Sequence, residues 1–79
     1  MSSQSAVWWR KARRARDQLI ARLGTHPAVT NIDIGLLDPP QAGVIGVRVH
    51  VRGTPTDLVV PEEVEGIPIG VVRGDYHLQ

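Results

Sequence analysis

The chain has 79 residues, 42% of them apolar, and no cysteine. It has room for one small domain, with disulfides and thiolate metal sites excluded. Its net charge of +1 hides an uneven split: residues 1–24 hold six basic side chains and one acid, whereas residues 25–79 hold three basic side chains and seven acids. No run reaches the roughly 20 apolar residues of a membrane span. Arginines at 10, 13, 14 and 16 break up any signal-peptide core, so the cytoplasm is the expected location.

Residues 1–4 read as a frayed tail. From about Ser5 to Leu23 the pattern is helical: Trp8, Ala12, Ala15, Leu19 and Leu23 recur at helical spacing, with Trp9 and Ile20 widening the stripe. Ser2, Ser3 or Ser5 supplies the N-terminal cap. Gly24, read as a left-handed stop, and Pro27 close the helix.

The period then changes to two. Ile32, Ile34 and Leu36 alternate with Asn31, Asp33 and Gly35 in a strand over about 28–37. A turn rich in breakers, Asp38-Pro39-Pro40-Gln41-Ala42-Gly43, leads to a second strand with Ile45, Val47, Val49 and Val51 on one face. Paired as an antiparallel hairpin with both aliphatic faces together, these strands bring Asp33 opposite Arg48 or one pair away.

Residues 57–66 read as a connection. Pro61 and the two acids after it are expected to start one short helical turn. Ile67, Ile69 and Val71 form a third strand, which Pro68 either places at an edge or makes start late. Residues 75–79 read as a flexible tail. The fold class is therefore α+β: a two-layer sandwich of one N-terminal helix on a three-stranded sheet, in the order α-β-β-β, spanning 1–79.

Function is less legible. The only serines are Ser2, Ser3 and Ser5, in or next to the tail, so no nucleophilic triad can be assembled on the folded body. His26, His50 and His77 are spaced too widely for a metal pair on one helix or strand face. Neither an enzyme nor a cofactor is expected. Arg73-Gly74-Asp75 matches a short adhesion tripeptide and is read as strand-end chemistry.

The candidate binding surface comprises Trp9, Arg10, Lys11, Arg13, Arg14 and Arg16 on the helix and Arg48, His50 and Arg52 on the outward face of the hairpin. The ordinary reading is a solvated helix face, with Asp17 paired to Arg13 or Arg14, and a wet sheet face. The functional reading is a non-catalytic interaction module that associates with itself or another protein, its basic helix meeting an acidic surface such as Glu62-Glu63-Glu65 of another copy, or an edge strand with exposed backbone groups pairing with a second copy to continue the sheet. The alternative is a nucleic-acid-binding protein that uses the basic helix on phosphates, although no nucleic-acid-binding motif accompanies it.

The segments Gly24-Thr25-His26-Pro27-Ala28-Val29 and Val60-Pro61-Glu62-Glu63-Val64-Glu65-Gly66-Ile67-Pro68-Ile69 resemble a small αβββ domain of bacterial proteins. A similar domain precedes the protease domain in some bacterial trypsin-like peptidases. The resemblance spans most of residues 15–73, with Pro61–Ile69 its most specific part. It implies the same element order and a non-catalytic role, and it assigns no catalytic residue.

Overall fold

A computed structural model describes residues 5–37 and 43–73. One helix, α1 (Ala6–Leu23), packs on a mixed sheet of four strands: β1 (Val29–Leu36), β2 (Ile45–Val51), β3 (Glu63–Val64) and β4 (Ile67–Arg73). The strand order is β1-β2-β4-β3. The α+β class stands, with one strand more than the sequence pattern predicts. Both expected tails, the segment 38–42 and His77 lie outside the described residues.

Ser5 caps α1 by accepting a hydrogen bond from the Trp8 N–H at 3.0 Å. Gly24 keeps a right-handed conformation, φ −64°, rather than the expected left-handed one. The helix stops instead through a tight turn, in which the His26 N–H donates to the Leu23 carbonyl, followed by Pro27, which has no N–H to continue it.

β1 and β2 form the expected antiparallel hairpin, with Asp33 directly opposite Arg48 and Ile34 opposite Val47. Its hydrogen-bond phase is set where the Leu37 N–H donates to the Val44 carbonyl at 2.8 Å. Alternation then turns the polar backbone groups of Asn31, Asp33 and Gly35 toward β2, and those of Ile32, Ile34 and Leu36 away from it. The register shifts between Val29 and Asn31.

β2 and β4 run parallel, so residues 52–62 cross from one end of the sheet to the other. Pro61-Glu62-Glu63 does not begin a helical turn. Glu63 and Val64 form β3, which pairs with Pro68 and Ile67 of β4. Glu65, at φ 52°, and Gly66, at φ 84°, make the two-residue turn between them. Two successive positive φ values are what a tight hairpin requires, and Gly66 adopts one without steric penalty. The helical reading failed because acids after a proline suit a first helical turn as well as they suit an exposed two-residue strand.

In the sheet order β4 lies between β2 and β3 rather than at the edge: β3 pairs with Ile67 and Pro68, and the pairing with β2 starts late, at Ile69. Pro68 fits there because the Ile69 N–H bonds the Glu62 carbonyl, which turns position 68 away from β3. The ladder to β2 begins at the next residue, Ile69 opposite Val47.

The core lies between α1 and the odd-numbered positions of β2 and β4. Leu19, Val47, Val49, Val51 and Ile67 are fully or almost fully buried, with Ala12 and Ala15 as the closest helix positions. Burial of each large side chain contributes about 1.5–3 kcal/mol. Trp8 and Leu23 pack at the margins of this cluster. On the opposite face Leu37 is buried over Gly46 and Gly70, where a Cβ on either glycine would meet its side chain.

Candidate functional site: the outer edge of β1

α1 lies over β1, β2 and β4, and its two flanks make different contacts. On one flank Arg14 and Gln18 donate to the Glu65 carboxylate in the β3–β4 turn, at 3.0 and 2.9 Å. These bonds, Gln18 first and then Arg14, hold the Glu65 carboxyl below its ordinary value. On the other flank Ile20 and Gly24 lie beside Val29, Thr30, Asn31 and Ile32, lining an open groove of about 240 Å³ along the start of β1.

At 100° per residue, Trp9, Arg13 and Arg16 share the flank of Ile20, while Lys11 and Arg22 share that of Arg14. Arg10 and Asp17 point to solvent between the flanks. Asp17 bonds its neighbour Arg16, at 3.3 Å from Nε, rather than Arg13 or Arg14. Glu65 therefore meets the basic helix within the same chain. Trp8 packs against the core while Trp9 is 36% exposed, the two rings meeting edge-on with centroids 5.0 Å apart.

The face of the sheet away from α1 carries a three-residue cluster. Asp33 accepts two parallel bonds from Arg48, Nε at 2.8 Å and Nη2 at 2.9 Å, and a third from His50 Nε2 at 3.1 Å. The Arg48 bond, followed by that of His50, lowers the Asp33 pKa against the opposing effect of burial. To reach Asp33, the Arg48 guanidinium lies across β1 at Gly35, where a Cβ would fall 2.5 Å from Cζ. Glycine at 35 leaves that space open. Arg52 is exposed at the end of β2 and takes no part in the cluster.

His26 is held structurally. Its Nδ1 accepts the Ala28 N–H at 3.0 Å, so Nε2 carries the proton and donates to Asp57 at 3.1 Å. Among the described residues no group of three His, Asp or Glu side chains converges on a metal-sized site.

The arrangement that can bind is the outer edge of β1. Among the described residues β1 pairs only with β2. Its other side presents the N–H and C=O groups of Ile32, Ile34 and Leu36. Protein edges are normally blunted by lysine, proline or a covering element, and β1 has neither lysine nor proline. Its one charge, Asp33, is engaged by Arg48 and His50. The opposite edge differs, since β3 covers the start of β4 and Arg73 ends it. Next to the β1 edge, Leu36 is 59% and Ile20 46% exposed.

Of the candidate residues named from sequence, the structure gathers Arg48 and His50 around Asp33, and Trp9, Arg13 and Arg16 above the β1 side. It draws Arg14 to the far flank and leaves Arg10, Lys11 and Arg52 dispersed on the surface. The sequence reading expected an edge strand with exposed backbone groups but did not identify it as β1, and it missed the exposed pair Leu36 and Ile20. Ile20 stands about 100° from Leu19, a signal that it lies outside the buried stripe. Compared with known protein families, curated proteins and solved structures, the chain matches none.

Proposed function

We propose that the chain is a non-catalytic interaction module that docks its partner, a second copy of itself, by strand addition to the outer edge of β1. The observation that carries this reading is an edge strand whose outward backbone groups at Ile32, Ile34 and Leu36 have no strand partner among the described residues, with no lysine or proline in the strand and with Leu36 exposed beside it. Main-chain bonds to such an edge supply affinity, and side chains on alternate positions supply specificity. The resemblance of the Pro61–Ile69 run is in keeping with the non-catalytic part of this reading.

Sedimentation equilibrium of the native chain and of Leu36→Lys tests it. The native chain should show a concentration-dependent dimer in the micromolar range, and Leu36→Lys a monomer with an unchanged circular dichroism spectrum. A native chain that stays monomeric throughout that range refutes the reading.

The nucleic-acid alternative rests on Arg10, Lys11, Arg13, Arg14 and Arg16, of which Arg14 bonds Glu65 and Arg16 bonds Asp17. Fluorescence titration of Trp8 and Trp9 with duplex and single-stranded oligonucleotides separates the two readings. Binding that weakens steeply with salt favours the nucleic acid.

A further inference from the structure

Resting on the β1-edge reading, we propose that two copies join β1 to β1 in antiparallel fashion about a twofold axis at Ile34, so that each Leu36 enters the other copy's groove and each Asp33 faces the other copy's Arg48.

The edge itself restricts the choice. Only Ile32, Ile34 and Leu36 (with Thr30 at the register shift) point backbone groups outward, so an antiparallel self-pairing must match even positions with even positions. The axis then falls on a residue from Asn31 to Leu36. At Leu36 or Gly35 it makes only one or two pairs among these positions, and at Asn31 only those of Thr30 with Ile32. The registers with more are those at Ile32, Asp33 and Ile34. An axis at Asp33 sets two carboxylates across a non-hydrogen-bonded pair, about 4.5 Å apart at Cα. Like charges directly opposite are destabilising. An axis at Ile32 relies on Thr30, where β1 departs from regular pairing, and leaves Leu36 in water.

The axis at Ile34 has neither defect. Ile34 pairs with itself and Ile32 with the partner's Leu36, giving three hydrogen-bonded pairs built entirely from regular strand. Leu36 and Ile32 both point to the α1 side of the sheet. Leu36 of one copy therefore meets the groove of the other, which is lined by Ile32, Ile20 and Gly24. Leu36 and Ile20, two exposed large aliphatic residues beside this edge, become covered together.

The other face matches as well. This register sets Asp33 opposite the partner's Gly35, the residue over which the Arg48 guanidinium lies. A carboxylate thus arrives beside a guanidinium at each of two symmetric places. A Cβ at position 35 would push that guanidinium aside. The self-match is a property of the run Ile32-Asp33-Ile34-Gly35-Leu36, in which apolar residues answer apolar ones and the acid answers a glycine.

The chain has no cysteine, so single-cysteine variants report pairing directly. Cα atoms of a hydrogen-bonded antiparallel pair lie about 5.5 Å apart, within disulfide range. Under mild oxidation Ile34→Cys should cross-link to itself, and Ile32→Cys should cross-link to Leu36→Cys in an equimolar mixture. Ile32→Cys joined to itself, or Ile34→Cys joined to Ile32→Cys or to Leu36→Cys, overturns the register while leaving the interaction module standing.

Hydrogen exchange of the native chain guards against a variant that fails to fold. In the dimer the amides of Ile32, Ile34 and Leu36 should exchange about tenfold or more slowly than at high dilution, with Asp33 and Gly35 unaffected. Protection that stops short of Leu36 overturns the register. A native chain with no dimer removes this inference together with the reading beneath it.

Discussion

Leu19→Ala probes the helix-on-sheet packing that positions the β1 edge. Leu19 is completely buried between α1 and the inner strands. Its neighbours cannot easily collapse into the space, because α1 is held at Glu65 through Arg14 and Gln18 and on the core through Trp8 and Leu23. Leucine-to-alanine substitutions in rigid cores cost about 2.7–5.0 kcal/mol. At about 0.05–0.15 kcal/mol per residue, a chain of 79 residues has roughly 4–12 kcal/mol of stability in all. A loss near 3 kcal/mol would lower Tm by about 12–25 °C. Urea unfolding followed by far-ultraviolet circular dichroism and by the fluorescence of Trp8 and Trp9 measures the loss, with Arg10→Ala as a surface control expected within about 0.5 kcal/mol of native. A loss under about 1 kcal/mol for Leu19→Ala would mean that α1 is not seated on the sheet, and the groove beside β1 would lose its wall.

The Asp33 cluster should show in the pH dependence of stability. Arg48, and then His50, lower the folded-state pKa of Asp33 from 3.8. Its contribution is therefore full above that unfolded value and is lost as pH falls through the folded value. Between about pH 5 and pH 2, Asp33→Asn should lose less stability than native protein, as read by urea titrations at each pH. With the Asp33 and Arg48 side chains about a third exposed, solvent screening keeps the difference small. Gly35→Ala should displace the Arg48 guanidinium and weaken the dimer more than the fold, by comparison of sedimentation with thermal melts. Gly66→Ala, at φ 84°, should cost about 1–2 kcal/mol by urea unfolding, because a Cβ strains that conformation. A neutral result there would mean that the β3–β4 turn relaxes freely.

The legible parts of this fold are those with strong periodicity. Trp8, Ala12, Ala15 and Leu19 mark α1, and the alternations of β1 and β2 set both the hairpin and the pairing of Asp33 with Arg48. β3 was not legible because two residues carry no period, and Pro61-Glu62-Glu63 fits two local conformations. The place of β4 was hidden for another reason. Pro68 argues for an edge only if its missing N–H faces a partner strand within the ladder, and that phase is known only once Ile69 is seen to bond Glu62. The basic helix was conspicuous by composition, yet Glu65 and Asp17 engage Arg14 and Arg16. The edge of β1 left no compositional mark, since its binding capacity lies in backbone groups that every sequence has.

The parallel pairing of β2 with β4 has a consequence for the order of folding. Val47 and Ile69, twenty-two residues apart in the chain, must meet across a crossover that contains no helix. The β1–β2 pairs begin nine residues apart, at Leu36 and Ile45. Local contacts form quickly, while non-local strand pairs wait on loop closure. The hairpin and α1 should therefore form first and β4 dock last, leaving both sides of the hairpin open in the interval. A chain that pairs through β1 while β2 is still uncovered could pair through β2 as well. Refolding at high protein concentration should then yield more aggregate than refolding at low concentration, even though the finished fold exposes only the β1 side of that hairpin.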